Sequence, residues 1–406
     1  MGKIEARWRH SLSRRKAIAG LAGVLAGSPL FQHRPSAQTD PRPMKEHKRL
    51  PGLDEMLTSF DFEPVFFANV PLAISDYTAH GDGSEFTVVR NRQAFDWVDL
   101  LPGKTVDPKR VDLSTEVLGT RMKFPIIVAP SAVQVPLHPD GEIGMHRGAT
   151  AASNTPMILS HVTSTAVDKV AAAATGPLWS QLYPQQDRNV GRQILEQSQA
   201  AGCTAIVVTV DQQAPFYERT QQNRNLGGNP RRAARGSAEA PPLKGPGLYR
   251  VSTGRLWYTW QYLDEIRTII KVPMLVKGIL TADDARLCLE HGVDGIIVSN
   301  HGGRSMDYGP STLEVLPEIV AAVKGRIPVI TDSGYRRGSD ILKALALGAN
   351  AVLLGRATRW ALGAFGPAGA QRLLEMMQQE LVDAAAAAGR ATLSSIDASV
   401  VKARFP

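Results

Sequence analysis

Four short stretches carry residue types that could do chemistry together. At 300–304 the chain reads Asn-His-Gly-Gly-Arg. Within it His301 is the best general base present, because an imidazole changes charge near neutral pH. Asp211, which ends Thr-Val-Asp at 209–211, could orient that ring and stabilise its imidazolium. Lys277 closes an apolar run, where a fixed cation would stabilise charge developing on an electron-rich ring system. The stretch Asp-Ser-Gly-Tyr-Arg-Arg-Gly at 332–338 and the pair Gly355 and Arg356 suit a phosphate, held by backbone N–H groups and by bidentate arginine. A lone histidine is more often structural, and Ser, Thr and Asp occur at turns in any protein. Their common position, at the ends of apolar runs, sets these residues apart.

The runs that must position them are β-rich and recur beyond residue 120: 126–129, 157–160, 178–182, 205–210, 274–277, 295–299, 329–332 and 351–354. Helical punctuation lies between them, with Thr281 and Ser339 expected as N-caps and Leu313, Leu316, Val320 and Val323 at helical spacing. Eight strand–helix units predict an α/β chain folded as a (β/α)8 barrel with parallel strands. An open doubly wound sheet is the alternative, but the first run ends in Pro130, Ser131 and Ala132, not in a GxGxxG turn. A barrel puts its site at the C-terminal strand ends. There the sequence places Ser131, Gln134, Ser160, Gln181, Tyr183, Thr209, Asp211, Lys277, Ser299, Asn300, His301, Asp332, Gly355 and Arg356. About 65 residues separate the fourth and fifth runs, including a Gly/Pro/Arg/Ala stretch from Gly227 to Gly247, which predicts a long loop, a lid or a mobile excursion.

With 406 residues and 43% hydrophobic composition, the chain can bury a large core, so disorder is excluded for most of it. Two cysteines, Cys203 and Cys288, exclude a disulfide-stapled small fold and read as core residues, and no zinc-ligand spacing appears. The net charge of +8 invites a nucleic-acid reading, but residues 1–49 hold 11 Lys+Arg and 3 Asp+Glu, leaving 35 of each sign beyond. A basic groove across the folded part is therefore not indicated. Ser13, Arg14, Arg15 and Lys16 precede an uncharged stretch from Ala17 to Phe31, the pattern of an export signal. The twin arginine resembles a Tat signal, so the expectation is an exported bacterial protein, periplasmic or membrane-associated, with cleavage after Ala37 as one option. A buried or interfacial segment is the alternative for so short an apolar run.

The strings IIVAPSA at 126–132, QLYPQQDRNV at 181–190, TVD at 209–211, LVKG at 275–278, IIVSNHGGR at 296–304, DSGYRRG at 332–338 and LLGR at 353–356 resemble the FMN-dependent α-hydroxy acid oxidases and dehydrogenases. The likeness runs from about residue 51 to the C-terminus. The resemblance implies FMN against Ser131, Ala132, Ser160, Gln181, Thr209, Lys277, Ser299 and Asp332, its phosphate held by Gly334, Arg336, Gly355 and Arg356. It implies that His301, paired with Asp211, takes the α-hydroxyl proton of an L-2-hydroxy acid while a hydride passes to flavin N5. Tyr77 and Arg304 would meet the substrate carboxylate, and Tyr183 the substrate oxygen. No metal is implied. The electron acceptor would be oxygen, a quinone or a carrier protein, and the assembly a homo-oligomer, by resemblance a tetramer, with peripheral membrane contact an option. The chain then divides into a signal segment at 1–37, a linker and N-terminal helical segment contributing to the site at 38–115, and an FMN-binding barrel with a C-terminal helix at 116–406.

The family pattern breaks in places. Tyr217 stands where relatives carry a second carboxylate-binding arginine, with Arg219 close enough in sequence to compensate, and Val162 where several carry an aromatic. Ser333 replaces a glycine and Ala357 a proline, changes expected to be tolerated. These breaks raise a second reading, the same flavin chemistry on a larger or non-carboxylate substrate. A third, from another class, is a non-redox barrel binding a phosphate ligand.

Overall fold

The computed structural model describes residues 49–211 and 259–406. Residues 1–37, Tyr217, Arg219 and the stretch from Gly227 to Gly247 fall outside them. The described residues from 51 onward form one compact unit. It opens with α1 (Phe62–Asn69), α2 (Leu72–Ala79) and α3 (Phe86–Gln93), strand β1 (Val98–Leu100), and a hairpin of β2 (Thr115–Val117) and β3 (Thr120–Met122). The hairpin turn is Leu118–Gly119, both at positive φ, the two-residue turn whose twist matches the strands it joins.

The eight apolar runs become β4 (Ile126–Val128), β5 (Met157–Leu159), β6 (Leu178–Leu182), β7 (Ile206–Thr209), β8 (Met274–Ile279), β9 (Gly295–Val298), β10 (Val329–Thr331) and β11 (Ala351–Leu354). They pair in chain order, all parallel, and β11 pairs with β4 to close the barrel. Side chains alternate across the wall. Ile127, Ile158, Trp179, Val207, Leu275, Ile297, Ile330 and Leu353 fill the interior. Their neighbours, among them Ile126, Val128, Met157, Ile206, Val276 and Val352, pack outward against the helices. The hairpin closes the N-terminal end with Val117 and Met122, and the buried Trp179 indole donates to Thr120 Oγ1 at 3.0 Å.

The surrounding helices are α4 (Gly141–Ala151), α5 (Val167–Ala172), α6 (Arg188–Ala200), α7 (Trp260–Arg267), α8 (Ala282–Glu290), α9 (Thr312–Val323), α10 (Gly338–Ala346) and α11 (Arg356–Ala387), the last broken at Phe365 and Gly366. Thr281 caps α8 as expected, its hydroxyl accepting from the Asp284 N–H. Helix α10 instead starts at Gly338, ahead of Ser339, because Asp340 Oδ2 reaches back to the N–H groups of Arg336 and Arg337 at 2.9 and 3.1 Å. The terminal strand β12 (Val401–Ala403) pairs antiparallel with β1, an element the sequence reading did not contain. Both cysteines are buried, and burial pushes each thiol up to about 12, consistent with inert core residues.

Candidate active site

A cavity of about 820 Å³, including its open mouth, lies at the C-terminal strand ends. Of the residues expected there, Tyr77, Ser131, Ala132, Ser160, Tyr183, Lys277, His301, Arg304, Asp332, Gly334, Arg336, Gly355 and Arg356 line it. Gln181, Thr209, Asp211 and Ser299 are not lining residues, but each sits beside one. Tyr217 lies outside the described residues.

One side is a closed ionic network. His301 Nδ1 lies 2.6 Å from Asp211 Oδ1, and Lys277 Nζ donates to Asp211 Oδ2 at 2.8 Å and to Ser299 Oγ at 2.7 Å. Ser299 Oγ in turn donates to Asp211 Oδ2 at 2.9 Å, and Asp332 Oδ2 stands 3.6 Å from Lys277. The approach of Asp211 is possible because residue 278 is glycine at φ +116, beside a register shift in β8; a Cβ there would collide with the Asp211 backbone. His301 itself sits at φ +58, a left-handed conformation costing about 1–3 kcal/mol in a non-glycine residue. Its N–H donates to Ser299 Oγ at 3.0 Å, so the strained turn is held from both ends of the residue.

Burial pushes the His301 imidazole below its ordinary value; Asp211 opposes this, Lys277 and Arg304 add to it, and the net direction is down. The ring is therefore neutral at neutral pH. Burial disfavours the Asp211 carboxylate, but His301 and Lys277 overcome it and hold the group well below the usual range. For Lys277 burial is likewise outweighed, by Asp211 and Asp332, so its ammonium is strengthened. Tyr183 stacks on His301 with centroids 6.5 Å apart, and the Tyr183 N–H donates to His161 Nδ1 at 3.3 Å.

The opposite side is a wall of arginines built on α2. Arg304 Nη1 donates to the carbonyls of Tyr77 and His80 at 2.8 and 3.1 Å, with its guanidinium 4.8 Å from the Tyr77 ring centroid. Arg356 donates to the carbonyls of Thr78, Gly302 and His80 at 3.0, 2.6 and 2.7 Å. Arg336 packs over the Trp360 ring. Burial, reinforced by Arg304 and Arg336, pulls Arg356 down to about 9, and burial with Arg92 pulls Arg336 down to about 10. Such a concentration of cations favours an anion. Gly334, at φ +93, lets its loop pass against the Asn91 carbonyl, where a Cβ would clash.

Sequence reasoning missed three side chains that shape this mouth, Arg359, Asn91 and Glu142. Arg359 lines the cavity one helical turn beyond Arg356, legible only as a second arginine opening an otherwise apolar helix. Asn91 on α3 and Asn300 exchange amide hydrogen bonds of 2.9 and 2.7 Å, and Asn300 also accepts from the Gly303 N–H. Glu142 ties the loops after β4 and β5, accepting from the N–H groups of Gln134 and Ser164 at 3.0 and 2.8 Å.

The family model for FMN-dependent dehydrogenases matches residues 67–403, and the chain belongs to that family. It is 38% identical over 357 residues to glycolate oxidase 3 of Arabidopsis thaliana, covering 86% of this chain and 96% of that protein. It is also 38% identical to glycolate oxidase of Spinacia oleracea, covering 84% and 95%. Among solved structures, mandelate oxidase with benzoyl-formic acid superposes with a TM-score of 0.75 at 33% identity, covering 86% of this chain and 99% of that one. The protein is thus an FMN-dependent oxidoreductase that converts an L-2-hydroxy acid to the 2-oxo acid, using a small α-hydroxy acid and an electron acceptor. The non-redox phosphate barrel is set aside.

One expectation is corrected. Two of the relatives it matches are peroxisomal (S)-2-hydroxyacid oxidases of Arabidopsis thaliana, 36% and 37% identical over 86% of this chain. They are not exported bacterial proteins, so the export reading of residues 1–37 is withdrawn. Among the described residues no helix is long and apolar enough to cross a membrane. A basic run followed by an apolar one describes charge and hydropathy, and these do not specify a destination.

The site fits the cofactor. The Gln181 side-chain oxygen accepts from the His161 N–H at 2.9 Å and from Ser160 at 3.3 Å, which leaves its Nε2 buried with no partner among the described residues. Thr209 Oγ1 and Gln134 Oε1 are likewise buried and unpartnered. Leaving such groups unsatisfied is costly, and the polar edge of a flavin ring offers both donors and acceptors. At Gly355 only Ala129 Cβ, 3.8 Å away, faces the position of a Cβ, leaving room beside the arginines for a phosphate.

Proposed function

We propose that His301 is the base and that Arg304 and Tyr77 receive the carboxylate of the 2-hydroxy acid. The observation that carries this is the closed network of His301, Asp211 and Lys277 facing the arginine wall across one cavity. Asp211 accepts from Nδ1–H, which leaves the Nε2 lone pair to take the hydroxyl proton. Once protonated, the imidazolium is stabilised by the same carboxylate. Lys277 stays charged and can steady negative charge on a bound ring system. Tyr183, stacked against His301, would hydrogen-bond the substrate oxygen. When bound, FMN supplies the two-electron acceptor that no side chain provides. It would be held by Ser131, Ala132, Ser160, Gln181, Thr209, Lys277, Ser299 and Asp332, with its phosphate at Gly334, Arg336, Gly355 and Arg356. Exclusion of water from the network keeps the base neutral between turnovers.

The concentration of guanidinium groups along one wall supports a carboxylate substrate over a non-carboxylate one. Anaerobic mixing of the flavoprotein with glycolate, L-lactate and L-mandelate, followed by flavin absorbance, tests this. Bleaching by at least one acid is expected, and a flavin left oxidised by all of them overturns the reading. Reoxidation of the bleached protein with oxygen, a quinone analogue or a carrier protein in separate arms identifies the acceptor. The family resemblance supports a homotetramer, which light scattering of the full chain checks.

A further inference from the structure

Arg359 is the cavity-lining cation with no place in the scheme above. Only 6% exposed, it stands on the first turn of α11. Nε donates to Thr78 Oγ1 at 3.1 Å and Nη1 to the Ala132 carbonyl at 2.5 Å. Nη2 is buried without a hydrogen-bond partner among the described residues. Its guanidinium carbon lies 5.8 Å from the Tyr77 ring centroid, and that of Arg304 lies 4.8 Å from the same centroid. Two cations thus flank one tyrosine. A buried guanidinium that needs only to brace α2 against the loop after β4 has already made both bonds, and a third donor left unsatisfied there is unfavourable. An oxyanion would satisfy it. Two could reach this wall, the substrate carboxylate and the flavin phosphate. The phosphate loops have Arg336 and Arg356, whereas Arg359 shares the Tyr77 ring with Arg304.

We propose that Arg359 is a second carboxylate-binding and specificity-determining residue, donating from Nη2 to the same carboxylate as Arg304. This rests on the functional reading above. The test uses the holoenzyme and its Arg359→Met and Arg359→Lys variants, with L-mandelate and its neutral amide as paired substrates. Flavin content and the Kd for FMN are measured alongside. For Arg359→Met we expect KM for mandelate to rise roughly tenfold or more, with kcat, the KM for the amide and the FMN Kd little changed. Arg359→Lys should recover part of the loss. A merely structural brace would raise both KM values together or neither, which overturns the proposal. A weakened FMN Kd with unchanged KM assigns Arg359 to the phosphate and overturns it as well. If the methionine variant does not fold, a lysine variant with wild-type KM for mandelate overturns the proposal, and one with a raised KM for mandelate alone supports it. A wild-type flavin that no hydroxy acid reduces overturns the functional reading and this inference together, whereas wild-type turnover with an unaltered Arg359→Met removes this inference alone.

Discussion

The two sides of the cavity solve opposite electrostatic problems. At the ends of β7 to β10 each charged group stands beside an opposite charge: Lys277 lies between the carboxylates of Asp211 and Asp332, and Asp211 also meets the His301 ring. Around α2 and the ends of β9, β10 and β11, Arg304, Arg336, Arg356 and Arg359 gather, donating to backbone carbonyls and a hydroxyl and packing on rings. A balanced cluster is ready to act without a ligand, since its dipoles and charges are already oriented. A concentration of like charges suits an anion, because burial weakens Arg336, Arg356 and Arg359 and an arriving anion relieves them. On the proposed reading, chemistry and capture are thus segregated within one mouth.

Breaking the balanced side should have the largest effects. Replacing His301 with alanine is expected to slow flavin reduction by about 10²–10⁴-fold with flavin content retained, as stopped-flow absorbance would show. Asp211→Asn should lower the same rate by a somewhat smaller factor and shift its pH profile. Asp211 is what raises the imidazole's proton affinity, so its loss moves the acidic limb to still lower pH. On the unbalanced side, Arg304→Met should appear in KM, by roughly 10- to 150-fold, the equivalent of losing a charge-assisted hydrogen bond of about 1.5–3 kcal/mol. A reduction rate at saturation that collapses with Arg304→Met would erase the distinction between the two sides. Between them lies the Asn91–Asn300 pair. Asn91→Ala strands a buried amide and should lower stability by about 1–3 kcal/mol in urea unfolding. The smallest effect is in the wild type. His301 is depressed below 6.5, so kcat/KM should be flat above that pH and fall only below it, as the base gains its proton.

How legible this was in the sequence depends on the range of the interaction. The eight strands stood out because a parallel barrel buries both faces, turning each strand into an uninterrupted apolar run such as Ile126–Val128 or Ile206–Thr209. His301, Asp211 and Lys277 stood out because each ends such a run and the barrel brings all the ends together. Arg359 did not, because its partners Thr78 and Ala132 lie 281 and 227 residues away. The amide pair of Asn91 and Asn300 spans 209 residues, and β12 meets β1 from the far side of the barrel sequence, Ala403 against Val98, which no local periodicity reports. Tyr183 was placed by motif, but its stacking on His301 is a tertiary fact. The basic segment showed the reverse failing: its charge was plain, and the destination inferred from it was not there to be read.

The exchange of amides between Asn91 and Asn300 has a consequence for how this molecule could be taken apart. The turn that presents His301 is braced by a helix that comes before the first barrel strand. The arginine wall likewise hangs on the carbonyls of Tyr77, Thr78 and His80. A fragment beginning at the first strand would keep all eight repeats and the side chains of both walls, and lose the groups that brace them. The repeats are therefore transplantable as scaffold only, and any exchange of specificity between relatives has to move the leading helices together with the loops they brace.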